Sequence, residues 1–113
     1  MIDWVIDWER VGELRGEIGE KDFAQILAYF IEEADDAMQK LRAADAPRLV
    51  ALLHFLKGSA LNLGLRAFAE QCRLEEVRAA GGDTSSVGHD SLLLIYETSK
   101  EALLAETGKG HAA

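Results

Sequence analysis

Between Asp22 and Leu41 the residues Phe23, Ile26, Leu27, Phe30, Ile31, Ala34, Met38 and Leu41 recur every three or four positions. That spacing gathers them on one face of a helix, and a stripe this wide has to be covered by other elements. The opposite face carries Glu32, Glu33, Asp35, Asp36, Gln39 and Lys40, which reads as a solvated surface. The remaining chain must therefore supply the covering elements, and it repeats the same pattern.

Asp7 reads as an N-cap followed by Trp8, Val11, Leu14 and Ile18, giving a short helix over about 7–18 that Gly16 and Gly19 weaken. The striped helix follows over about 22–43. Asp45-Ala46-Pro47 opens the next one, over about 46–63, because proline suits a first helical turn and Asp45 can cap it. Leu49, Leu52, Leu53, Leu56, Ala60 and Leu63 continue it, and Gly64 is its stop signal. A fourth helix over about 65–80 turns Leu65, Phe68, Ala69 and Cys72 inward and ends at Gly81-Gly82. Its later half is ambiguous: Leu74 and Val77 fall opposite Phe68, while Glu75 and Glu76 lie nearer the inner face. Either the buried side shifts or the helix packs on two neighbours. Residues 83–90 read as a loop or a frayed start. The last helix, about 86–107, carries Leu92, Ile95, Tyr96, Ser99, Ala102, Leu103 and Glu106, and Gly108 and Gly110 end it.

Helices of this length joined by short connections predict an all-α chain: an antiparallel up-and-down four-helix bundle with a short extra N-terminal helix, one domain over 1–113. Trp4, Trp8, Phe23, Phe30 and Phe68 are expected in the core, with Cys72 as a small apolar residue beside them. At 49% hydrophobic content the chain can build such a core.

Twelve basic against 20 acidic side chains give a net charge of -8, which argues against nucleic acid or anionic lipid and for protein partners. One cysteine, Cys72, excludes an intramolecular disulfide and a cysteine-rich zinc site, and fits a reducing cytoplasm. No apolar run reaches the roughly 18 residues that span a bilayer, and Asp3 and Asp7 stand where a signal peptide would be basic. The chain is expected to be monomeric, unprocessed and off the membrane. Inward Glu-x-x-His pairs and glycine-rich nucleotide loops are both missing, so neither a metal site nor an ATP site is expected.

One histidine breaks the apolar run of the third helix. With residues advancing about 100° each, Leu52, Leu56 and Leu63 lie roughly 160–200° from His54, so burying the leucines turns the imidazole outward. Lys57 and Gly58 flank it one turn later, offering a cation for an anion and room beside the ring. Ser59 falls near the core edge, where its hydroxyl is expected to bond back to a helix carbonyl. Val50, Ala51, Leu61 and Leu65 lie within about 60° of His54 and form an apolar collar, a common mark of a protein interface. Arg66, just past the helix end, is a candidate second cation. His89 and His111 read as ordinary surface histidines in a loop and a tail.

The run His54-Phe55-Leu56-Lys57-Gly58-Ser59-Ala60-Leu61-Asn62-Leu63-Gly64 resembles the signature of histidine-containing phosphotransfer (HPt) domains, in which the phosphorylated histidine is followed by x-Leu-Lys-Gly-Ser and later Leu-Gly. The resemblance implies a phosphocarrier without its own ATP site. His54 would accept a phosphoryl group from a receiver-domain aspartyl phosphate and pass it to another receiver. Lys57 would screen the phosphate charge and Gly58 would give steric access. Val50, Ala51, Leu61, Leu65 and Arg66 would meet the partner, with Ser59, Leu52, Leu56, Leu63 and Gly64 as structural support. The implied partners are response-regulator receiver domains and a sensor (hybrid) histidine kinase. No cofactor is expected on this chain, and Mg2+ is expected in the receiver. One position departs from the pattern: the family usually has an apolar residue where this chain has Glu75. Two other readings stay open, a non-catalytic module that binds receivers and a substrate domain of a larger histidine kinase. The second is less attractive on the expectation that the chain, with its Met1 start and plain tail, stands alone.

Overall fold

Asp7 and Asp45 start two helices by one device, each accepting a backbone N–H in the first turn, from Arg10 at 3.2 Å and from Arg48 at 3.0 Å. The computed structural model describes residues 4–112, with side chains throughout except at Ser86 and at 107–112. Asp3 and the side chain of His111 lie outside that description. Among the described residues the chain forms five α-helices and no strand: α1 (Trp8–Ile18), α2 (Glu20–Lys40), α3 (Ala46–Leu63), α4 (Arg66–Ala80) and α5 (His89–Ala112). Short 3-10 turns at Leu41–Ala43 and Thr84–Ser86 close α2 and precede α5.

The apolar stripes build one core. α2 buries Phe23, Leu27, Phe30, Ala34 and Ala37, and α3 buries Leu49, Leu53, Leu56, Ala60 and Leu63. Each fully buried leucine or phenylalanine contributes about 1.5–3 kcal/mol of transfer free energy. Leu52 is half-buried against this core. α5 adds Leu92, Tyr96 and Leu103, and the Tyr96 ring meets Phe68 of α4 with centroids 5.2 Å apart. The Tyr96 hydroxyl donates to Asp35 of α2 at 2.6 Å, so a phenol buried in the core finds its partner at the rim. α3 packs most extensively on α4, α4 also on α5, α2 on both α3 and α5, and α1 on α2 and α3.

Several expectations need correction. Trp4 is 76% exposed and Trp8 is on the surface, because Ile6, Val11 and Leu14 already fill the space under the N-terminal helix. Ile26 is exposed at the edge of the α2 stripe rather than in its centre. α5 starts later than expected and continues past Gly108 and Gly110. Glycine costs a helix about 1 kcal/mol relative to alanine and does not forbid it. His89 is the first residue of α5 and half-buried, not a loop surface residue.

Gly64 is where α1 meets the bundle. It ends α3 at φ +87°, and a Cβ there would lie 2.9 Å from both the Asp7 carbonyl oxygen and Val11 Cγ2. The close approach lets Asp7 N–H donate to the Gly64 carbonyl at 2.8 Å, while Arg10 spans Asn62 with its Nε on the backbone oxygen and Nη2 on the side-chain oxygen. The turn between α3 and α4 is thereby held, and with it the register of the two helices that carry the site.

Candidate functional site

α3 turns His54 outward because Leu49, Leu53 and Leu56 occupy its buried side. The imidazole is 70% exposed. One side of it faces α4, where Glu76 Oε2 lies 3.4 Å from His54 Nδ1. The other oxygen of the same carboxylate, Oε1, lies 3.1 Å from Lys57 Nζ. Glu76 therefore bridges the histidine and the lysine. Its side chain is only 22% exposed and that of Lys57 24%, so this charge contact is partly withdrawn from water while the imidazole is not.

A carboxylate facing Nδ1 favours the tautomer that carries its proton on that nitrogen, which would leave the lone pair on Nε2. Gly58, one turn on, is exposed, and a Cβ built there would meet nothing within 4 Å. The surface beside the ring is open by the width of a side chain.

The expected collar divides. Ala51 and Leu61 are exposed, and Val50 is half-buried against the core. Leu65 is 0% exposed and belongs to the core, so it is not a collar residue. The helical angle that placed it near His54 does not hold past the end of α3 at Leu63, where Gly64 reverses the chain and Leu65 N–H donates to the Ala60 carbonyl at 2.8 Å. Arg66 is exposed but forms an ion pair with Asp7 at 3.3 Å, on the α1 side of the helix end. Ser59 is half-buried, and with Ile26, Tyr29, Phe55 and Asn62 it lines a groove of about 150 Å³ between α2 and α3. Sequence reasoning missed the exposed aromatic rings of Tyr29 and Phe55 at this groove.

The largest omission is Glu76. The available signal was its place near the inner face of α4, where a carboxylate requires a partner. Glu75, beside it, is 0% exposed. It accepts from Gln71 Nε2 at 2.6 Å and from Arg78 Nη1 at 2.7 Å. Burial alone would raise its pKa, but the contacts to Arg78, the Gly88 backbone and Gln71 outweigh burial and hold it below the usual carboxylate value. Beneath the site, burial first and then the Glu76 and Glu75 carboxylates push the Cys72 thiol up to about 12, with Lys57 opposing. Cys72 is a packing residue and not a nucleophile.

A scan against family models matches the Hpt domain over residues 25–102, well over half of the chain. The chain belongs to the Hpt domain family. The matched segment begins inside α2 and ends inside α5, so it contains His54, Lys57, Gly58 and Glu76 and leaves α1 outside. Hpt domains are phosphocarriers that serve histidine phosphotransfer in phosphorelay signalling and interact with receiver domains of two-component systems. Comparisons with curated proteins and with solved structures find no significant match. Among the described residues no helix of this Hpt domain is long and apolar enough to cross a membrane.

Proposed function

We propose that this chain relays phosphate through His54, taking a phosphoryl group from the aspartyl phosphate of one receiver domain and delivering it to the aspartate of another. The observation that carries the reading is the exposed imidazole with its Nδ1 turned to Glu76 and its Nε2 left open. The Nε2 lone pair attacks phosphorus, the bond between phosphorus and the aspartyl oxygen breaks, and the carboxylate leaves with that electron pair. The ring keeps its Nδ1 proton throughout. Onward transfer is the same displacement run the other way. Phosphoryl transfer needs alignment and charge neutralisation more than covalent help, so a receiver bringing the aspartate and Mg2+ can complete the site, with no cofactor on this chain. Lys57 supplies a mobile cation for the phosphoryl oxygens.

On this reading the receiver covers His54 from the α2–α3 side, over Ala51, Gly58, Phe55 and Tyr29, because Lys57 and Glu76 occupy the α4 side. Val50 and Leu61 extend the apolar contact, and Arg66 lies at its margin. The four long helices form an antiparallel up-and-down bundle that holds this face. The chain acts as a cytoplasmic monomer that draws its phosphate from a sensor kinase by way of a receiver. The test is to mix it with a phosphorylated receiver and follow acid-labile, alkali-stable label. Wild type becomes labelled and His54→Gln does not. Equal labelling of both proteins, or a wild type that binds receivers without taking label, contradicts the proposal.

A further inference from the structure

The phosphoryl group proposed for His54 does not arrive at an idle lysine. Lys57 Nζ already sits 3.1 Å from Glu76 Oε1, and that oxygen is closed to water and makes no hydrogen bond of its own. The Lys57 ammonium is therefore what neutralises it. The second oxygen of the same carboxylate faces Nδ1 of the ring that reacts. One carboxylate on α4 is coupled to both functional groups on α3.

Resting on the function proposed above, we infer that Glu76 is a positioning residue that competes with the phosphoryl group for Lys57 and shortens the time His54 holds phosphate. A phosphoryl group brings close to two negative charges to Nε2. Lys57 can swing to it on a flexible stem, but doing so leaves a water-shielded carboxylate oxygen unpaired, which is unfavourable. If Lys57 stays, the phosphoryl oxygens lack their cation. Either way the phosphorylated state carries a cost that Glu76 imposes.

The same residue eases departure of the group. When Nε2 bonds to phosphorus with Nδ1 still protonated, the ring becomes cationic, and Glu76 holds that proton in place. As an acceptor carboxylate attacks phosphorus, the N–P bond breaks, its electron pair returns to Nε2, and a neutral imidazole leaves. No proton has to be moved. Both effects make the histidine a conduit rather than a store.

Opposite signs for the two members of one ion pair distinguish this from a structural role, since breaking a merely structural contact from either side has the same consequence. The experiment charges wild type, Glu76→Gln and Lys57→Gln with phosphoramidate and follows the phosphohistidine signal by 31P NMR, with ring 15N shifts read before charging. The expected lifetime is about fivefold longer than wild type in Glu76→Gln and about fivefold shorter in Lys57→Gln, the size that a partly screened charge contact carries. The 15N shifts should report the Nδ1–H form in wild type and a larger share of the other tautomer in Glu76→Gln. Lifetimes that move in the same direction, or a Glu76→Gln protein with wild-type lifetime and ring shifts, overturn the inference alone. A wild type that takes no phosphate on His54 overturns the function and this inference together.

Discussion

Glu75 and Glu76 are consecutive carboxylates on α4 and do unlike work. A step of about 100° around the helix carries one into the core and leaves the other at the rim facing α3. Glu75 holds structure: it ties α4 to the segment before α5 through the Gly88 backbone, while Gln71 and Arg78 on its own helix satisfy the rest of its carboxylate. Glu76 reaches across to His54 and Lys57, the two residues on which the proposed transfer depends. The lesson is that a charge on an inward stripe is not an error in the pattern. It belongs to whichever neighbour can answer it.

α3 repeats the division with its glycines. Gly64 is demanded by a left-handed turn and by the approach of α1, whereas Gly58 stands in an ordinary helical turn facing open space. The first serves the fold, and the second has no structural need for its missing side chain.

Breaking Glu75 should have the largest effect on stability. Glu75→Ala leaves the Gly88 N–H and the Gln71 amide without their acceptor and should cost about 3 kcal/mol in denaturant unfolding. The protein that remains folded should still accept phosphate on His54. Because its folded-state pKa is depressed, the ionised Glu75 contributes stability that is present above the ordinary value of 4.5 and is lost as pH falls through the lower folded value. The stability gap between wild type and Glu75→Gln should therefore close in acid and stay constant near neutrality. A gap that widens in acid would contradict the contact assignment.

The glycines come next, in opposite directions. Gly64→Ala places a Cβ against Asp7 and Val11 at a strained φ and should lower stability by about 2 kcal/mol. Gly58→Ala should raise it by about 0.8 kcal/mol, the ordinary helix-propensity difference, while slowing transfer from a receiver by crowding Nε2. Thermal melts and transfer time courses on the two variants separate fold from function. A Gly58→Ala protein that transfers as fast as wild type would show that the open space beside the ring is not used.

These contrasts also mark what could be read from the sequence. The outward turn of His54 was legible because α3 is one uninterrupted helix, capped by Asp45 and stopped by Gly64, so angles counted within it hold. Leu65 was misplaced by carrying the same count past the stop. The later half of α4 resisted reading because periodicity assumes that inward means apolar, and Glu75 breaks that assumption with a buried, fully answered charge. Glu76 needed the register between α3 and α4, which depends on the Gly64 turn and the α1 contacts and is not contained in either helix alone. Trp4 failed for a simpler reason: ring size favours burial only where there is core left to fill.

On the proposed function phosphate travels on Nε2 of His54, and the labelled nitrogen can be read directly. Protein carrying 15N-labelled histidine is charged by a phosphorylated receiver, and the phosphorus signal is examined for coupling to ring nitrogen. Wild type should show one phosphohistidine resonance coupled to His54 Nε2, and His54→Gln should show none. Coupling to Nδ1, phosphate on His89 or His111, or a receiver that docks and transfers nothing would contradict it.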